Sequence, residues 1–487
     1  MTGPPEALPP EDALANANSA ASPERMSLSA VLAFACAYMP FAALQLSVAV
    51  QLPPFFATQL GLGLAAGAAF GVVRLIDIPV DPALGLMIDK TRTPLGRYRP
   101  WMLAGAPILM LALYMLYQAP KGISEGYLIV WLLVVYLGMS MQLVAGNAWA
   151  SSLAPDYKAR SRIFGAMLAM GVFGTVCCLF IPVIAGRLHQ AQIDGTRWVG
   201  WFLLVLVPVS AAIALARTPE RKLETHRTRP FRLGDYFKLL SKENVLRIVV
   251  ADFCVTMGPG WMAALYIYFF EDSRQLNYSV ASLLLALYVV AGLAGGPATA
   301  WLANRISKHR ALIVSTTFYS LFLIVIPLLP RGQWLPTLLP MFLLGGLATG
   351  FVVMVRAITA DVADELRLEG GEDLTGLLYA ITSATTKAAG ALSIFVSFWL
   401  LGVQGYSVEA NAVHTPAQIH SLELTYIIGP IVFVMLGGAA FLGYKLSADK
   451  HAEIRRQLDE RDAVESEAAA LQAVTGEPHE LPASPAS

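Results

Sequence analysis

Long apolar runs, separated by short polar turns, fill most of the chain. Runs over Ser27–Thr58, Gly63–Ile88, Pro100–Gln118, Gly126–Leu153, Ile163–Ala185 and Val199–Ala216 predict six membrane-crossing helices, because about 20 apolar residues cross a bilayer. A charged stretch interrupts the pattern. Six more runs follow, over Leu246–Phe270, Val280–Ala303, Leu312–Leu329, Leu335–Val355, Gly376–Leu401 and Leu422–Leu442. The pattern predicts an all-α membrane protein of twelve spans in two six-helix halves, 27–216 and 246–443. Residues 1–26 read as a disordered tail. Residues 217–245 read as a surface linker with an amphipathic helix near Leu233–Leu240. The tail 444–487 reads as a solvated helix to about Gln472, then a Pro/Ala/Ser-rich end. Pro40 and the Pro53-Pro54 pair predict kinks in the first span.

The second run carries a costly exception, Arg74, Asp77 and Asp81. On a continuous helix their i,i+3 and i,i+4 spacings put all three on one face. A charge facing lipid costs a few kcal/mol or more, so that face turns towards protein or a water-filled cavity. One cation against two acids leaves a carboxylate free to hold a proton or a small cation. This points to a carrier that moves a solute with a coupling ion. Other polar side chains inside the runs are Gln45, Ser140, Gln142, Asn147 and Lys387. The aromatics Tyr38, Trp149, Trp261, Tyr266 and Tyr379 either stack on a solute or simply pack.

Composition narrows the class. Charged residues make up 14% of the chain, against about 25% in an average soluble protein. Net charge is zero, which gives no reason to expect a nucleic-acid partner. Cys36, Cys177, Cys178 and Cys254 lie in apolar runs without metal-ligand spacing and read as small buried hydrophobes. The histidines fall in loops or tails. No nucleophile–base pair, nucleotide loop or metal cluster is visible, so neither an enzyme nor a cofactor is expected. No basic segment precedes the first run, so no signal peptide is expected. Lys and Arg concentrate in the loops after even-numbered runs, which predicts both termini and the linker on the cytoplasmic side of the inner or plasma membrane. Gly85…Asp89-Lys90 is echoed by Ala300…Asn304-Arg305, as in a carrier built from two repeats with its site between them near the midplane. The expected working unit is a monomer in the lipid bilayer, handling a small solute and a monovalent cation.

Gly85 with Asp89-Lys90 resembles the loop motif of the major facilitator superfamily. The longer stretch from Arg74 through Asp77, Asp81-Pro82 and Gly85, then Arg92 through Gly96-Arg97-Tyr98-Arg99-Pro100-Trp101, is similar to the glycoside–pentoside–hexuronide:cation symporters, the family of melibiose permease. Pro155-Asp156-Tyr157 with Arg160 agrees. So does Ala360-Asp361-Val362-Ala363-Asp364-Glu365, continuing to Gly376-Leu377-Leu378-Tyr379 and Lys387. The resemblance covers about residues 28–445. It implies that Asp77 and Asp81 bind the coupling cation, that Ser140 completes a sodium site, and that Lys387 lies near both the acids and the sugar. It further implies gating contacts at Asp89, Arg92, Arg97, Asp156, Arg160 and Asp361. The charged groups could instead form a buried network that merely ties the halves together.

Departures from the family pattern bear on ion and solute. Val80 stands where sodium sites have an asparagine, and valine offers no oxygen, so H⁺ is favoured over Na⁺. Leu143, Met167 and Ala43–Leu44 stand where melibiose permease has ionisable sugar contacts. Sugar hydroxyls buried against them would go unpaired, at about 1–3 kcal/mol each. The expected function is cation-coupled symport of a sugar or glycoside. A less polar solute (an amphiphile, an aromatic glycoside or a lysolipid) is the alternative, and a non-transporting membrane sensor the remote one.

Overall fold

The computed structural model describes residues 26–153, 157–218, 239–370, 374–409, 412–444, 446 and 448–475. The tail before Met26, most of the linker with its expected amphipathic helix, Asp156, and the chain after Thr475 lie outside the described residues. Among the described residues, eleven helices are each long and apolar enough to cross a membrane. In chain order they are Leu28–Gln59, Arg99–Tyr117, Glu125–Leu153, Ala159–Arg187, Gln192–Arg217, Glu243–Ser273, Tyr278–Ile306, Lys308–Leu328, Leu335–Glu369, Gly376–Val403 and Pro416–Ala439. They form the first span and the third to twelfth.

The second span is not the continuous helix expected from its apolar run. It consists of two pieces, Ala65–Ile76 and Val80–Lys90, joined by a turn at Asp77-Ile78-Pro79. Pro79 lacks an N–H and its ring crowds the preceding turn. The backbone therefore tightens locally to three-residue bonds, Ile78 N–H to Leu75 O at 3.2 Å and Val80 N–H to Asp77 O at 3.1 Å. The first span deviates as well. Wider π-turns at Ser47–Gln51 and Phe55–Gln59 flank Leu52-Pro53-Pro54. The tenth span runs well past Val355, as one helix Leu338–Gly370. The expected loop motif around Asp361 is thus helical and continuous with the membrane segment.

The halves meet at one end and part at the other. Glycines permit the closest approach, between the second and eleventh spans. A Cβ on Gly67 would lie 2.5 Å from Phe398 Cβ, and one on Gly71 would lie 2.8 Å from Phe395 Cβ. Near the same end Thr58 and Tyr268 share a 3.1 Å hydroxyl contact. Gln192 donates to Glu271 at 3.2 Å, and Ser279 Oγ donates to Pro182 O at 3.0 Å. At the opposite end, where the linker attaches, no hydrogen bond or ion pair joins the halves among the described residues. The described hydrogen bonds and glycine contacts between the halves thus concentrate at the end away from the linker. The tail helix, Ala448–Thr475, is not simply solvated. It buries Ile454 and Leu458 and pairs Asp462 with Arg367 at 2.7 Å.

Candidate functional site

The broken turn delivers two acids to a lysine from the other half. Lys387 Nζ stands 2.7 Å from Asp77 Oδ2 and 2.7 Å from Asp81 Oδ2. It also donates to the Asp77 main-chain oxygen at 3.1 Å. Arg74 Nη1 reaches Asp77 Oδ2 at 3.3 Å, with its guanidinium over the Tyr136 ring at 4.7 Å. Ser140 Oγ donates to Asp77 Oδ1 at 3.3 Å. Asp77 and Lys387 are buried. Asp81 Oδ1 is buried without a partner.

This arrangement changes the charge count made on the second run alone. Two cations face two carboxylates, so no acid lacks a counter-charge. What remains open is one acceptor atom, Asp81 Oδ1, beside a lysine that grips both acids. A bound cation would have to share or displace Lys387.

The N-terminal half has a small recess of about 20 Å³. Phe34, Tyr38, Phe41, Met102, Gln142, Leu143, Asn147 and Met167 contribute to it. Gln142 and Asn147 are thus brought together, with Gln142 Nε2 donating to Met102 O at 3.1 Å. Gln45 is exposed on the first span and does not line the recess. Trp149 is a correction to the expected cavity set. It is fully buried, edge-on to Phe34 at 5.3 Å, with the Arg99 guanidinium 5.8 Å from its ring. Its bulk belongs to the packing between the first and fourth spans.

The C-terminal half brings two charged residues that the reading of the apolar runs passed over. Asp252, on the seventh span, accepts from Thr386 Oγ1 at 2.8 Å. Arg356, on the tenth, is exposed and close enough to act electrostatically on Asp252, Tyr379 and, across the gap, Tyr38. Tyr379 OH donates to the Arg356 main-chain oxygen at 3.4 Å. An acid inside an apolar run was the signal available for Asp252. Arg356 escaped because the tenth run was ended one residue before it.

The expected gating residues divide. Asp89 forms an ion pair with Arg97, whose Nε also donates to Ile88 O at 3.2 Å. Arg92 and Arg160 are exposed and join no ion pair among the described residues. Asp361 pairs with Lys308 at 2.6 Å, and His451 of the tail helix stands 3.3 Å away. These pairs each stay within one half.

A family model described as MFS/sugar transport protein matches residues 33–448. The chain belongs to that family. It is a multi-pass membrane transporter of the major facilitator superfamily, not an enzyme, and the resemblance to the glycoside–pentoside–hexuronide:cation symporters holds. An isoprimeverose transporter of Lactiplantibacillus pentosus is 25% identical over 418 residues, 82% of this chain and 85% of the relative. A sodium-dependent lysophosphatidylcholine symporter 1-B of Danio rerio is 20% identical over 481 residues, 88% of this chain and 86% of the relative. The fold is similar to that of the nucleoside transporter NupG in a point-mutant crystal structure. The TM-score is 0.66 at 12% identity, covering 86% of this chain and 100% of that chain.

Proposed function

We propose that this family member is a symporter that moves a sugar or glycoside with a monovalent cation by rocking of its two halves. The observation that carries the reading is Lys387, from one half, set 2.7 Å from both Asp77 and Asp81 of the other. A cation arriving at the acids weakens the hold on Lys387, and with it the charged link that Lys387 makes between the halves. When the ion leaves, Lys387 returns and restores neutrality, so the empty carrier can reset without a bare buried carboxylate, which would be costly. Ion binding and half-to-half contact thus become one event.

Protons suit this site better than sodium. Sodium needs several oxygens at once. Near the acids the neutral side-chain oxygen is Ser140, Val80 adds none, and Lys387 holds one oxygen of each carboxylate. A proton needs a single acceptor, and Asp81 Oδ1 is one. In this reading the linker side is cytoplasmic, and the membrane potential adds about 2.3 kcal/mol per 100 mV for each inward charge.

The test is uptake into liposomes holding the purified full chain, driven by an imposed proton or sodium gradient. The expected outcome is proton-driven accumulation of a sugar or glycoside, lost in Asp81→Asn while the variant still binds the solute. Uphill accumulation by Asp81→Asn would overturn the mechanism. The apolar share of the recess, from Phe34, Phe41, Met102, Leu143 and Met167, supports the second reading, a less polar solute. Uptake of an amphiphile such as a lysolipid, with no uptake of sugars, would select it.

A further inference from the structure

The end of the interface away from the linker encloses a cavity of about 640 Å³ that shares no lining residue with the Asp77, Asp81 and Lys387 network. We infer that this cavity is a regulatory binding site for an uncharged, polyhydroxylated ligand of up to disaccharide size, and that its occupant holds this end of the carrier closed. The inference rests on the rocking of the two halves and adds a second site to it.

Both halves build the walls. Pro182, Gly186 and Gln192 come from the fifth and sixth spans. Glu271 and Ser279 come from the end of the seventh and the start of the eighth. Trp334 comes from the turn before the tenth. Two hydrogen bonds join these walls. Gln192 Nε2 donates to Glu271 Oε1 at 3.2 Å, and Ser279 Oγ donates to Pro182 O at 3.0 Å. Gly186 leaves room for the second contact, since a Cβ there would lie 2.0 Å from Ser279 Oγ. Parting the halves at this end breaks both bonds and splits the cavity. The site is therefore whole only in the closed arrangement.

The lining suits hydroxyl groups better than an ion. It carries one acid, Glu271, and one base, Arg187, so its formal charge cancels. Donors and acceptors are mixed. Glu271 has its second carboxylate oxygen without a hydrogen-bond partner among the described residues. Asn277 accepts from the Val280 N–H at 2.9 Å and keeps its NH2 group to donate. A hydroxyl both donates and accepts, so a ligand with several of them can answer both kinds of group. The Trp334 ring adds a flat apolar face, which suits the C–H side of a sugar ring. The volume lies within the range of about 300–1,000 Å³ common for small-molecule sites.

A ligand that binds only the closed form lowers the open fraction by the factor 1 + [L]/Kd, about tenfold at ten times Kd. The experiment uses the full chain in liposomes with a reporter cysteine in place of Thr58, which lies at this end. Its reaction with a membrane-impermeant maleimide is followed against the chain without the reporter. Maltose is the probe, with glucuronate and glucosamine as charged comparisons. Maltose should slow the labelling about tenfold at ten times its Kd and should raise the unfolding temperature. Trp334→Ala should keep the sugar-free labelling rate and lose both responses. Glu271→Gln, which preserves the side chain's shape, should weaken both several-fold and guards against a folding defect in the first variant. Absence of slowing by maltose, slowing that survives both substitutions, or a response to the charged sugars alone overturns the site. Stabilisation without slowing overturns the coupling to closure. Labelling indifferent to an imposed gradient, with no gradient-driven uptake of any solute, overturns the transport reading instead. A maltose stabilisation lost in Trp334→Ala would then still support the site.

Discussion

The two halves share a topology but bring different groups to the network that joins them. The N-terminal half offers acids, Asp77 and Asp81, and a neutral recess holding Gln142 and Asn147. The C-terminal half offers a cation, Lys387. Among the described residues an ion pair crosses the interface at one place, where Lys387 meets the broken second span. Elsewhere the halves are joined by glycine-mediated packing and hydrogen bonds at the end away from the linker, one of them from Gln192 to the Glu271 carboxyl group. The contrast separates two jobs. In the proposed mechanism, packing holds one end shut and the ionic link made by Lys387 decides when the middle lets go.

The largest effect should come from unbalancing that link. Lys387→Met leaves Asp77 buried with Arg74 alone, at 3.3 Å, and should cost about 3–5 kcal/mol, the range for stripping a partner from a buried pair. Adding Asp77→Asn removes the stranded acid as well. The double variant should be more stable than Lys387→Met yet unable to accumulate solute uphill. Thermal unfolding read beside gradient-driven uptake checks both halves of the claim. If the double variant is no more stable than the single, the lysine does not act as the acids' counter-charge.

Packing at the closed end comes next. Gly71 lies against Phe395 Cβ, and its missing Cβ would also meet Ala391 O at 3.3 Å. Gly71→Val should push the second and eleventh spans apart, costing about 1–3 kcal/mol through overpacking. A cysteine placed at Thr58 should then react faster with a membrane-impermeant maleimide. Unchanged labelling would mean that this glycine contact does not hold the end closed.

Much of this architecture was legible from the pattern of apolar runs, because a bilayer forces each span to declare itself by length. The cluster of Arg74, Asp77 and Asp81 was legible for the same reason, as charges where charge is expensive. Three features were not. The break at Pro79 was hidden because Ile78 and Pro79 lie within an unbroken apolar run. The family resemblance put Lys387 near the acids, but its grip on one oxygen of each depends on how the eleventh span packs on Gly67 and Gly71, which the sequence of neither span reveals alone. Trp149 and Tyr379 looked equivalent as aromatics within apolar runs, yet one is fully buried and the other 39% exposed. Which face of a helix turns inward is decided by neighbours distant in the chain.

The smallest and most discriminating change concerns Val80. It lies one residue before Asp81, on the first turn after the break, and contributes no oxygen to the acids. Val80→Asn adds one hard ligand without altering charge. The valine is partly exposed, so little packing is lost. Stability should therefore move by about 0.5 kcal/mol or less, as for substitutions away from the core. Ion preference should move more, because an added carbonyl oxygen aids sodium and does nothing for a proton. Uptake by Val80→Asn, measured under a sodium gradient at fixed pH, should exceed that of the wild type by several-fold, while proton-driven uptake falls or holds. No gain with sodium would mean that the grip of Lys387 on the two carboxylates, and not a missing ligand at position 80, keeps sodium out. The ion would then be chosen by the half that supplies the lysine, not by the half that supplies the acids.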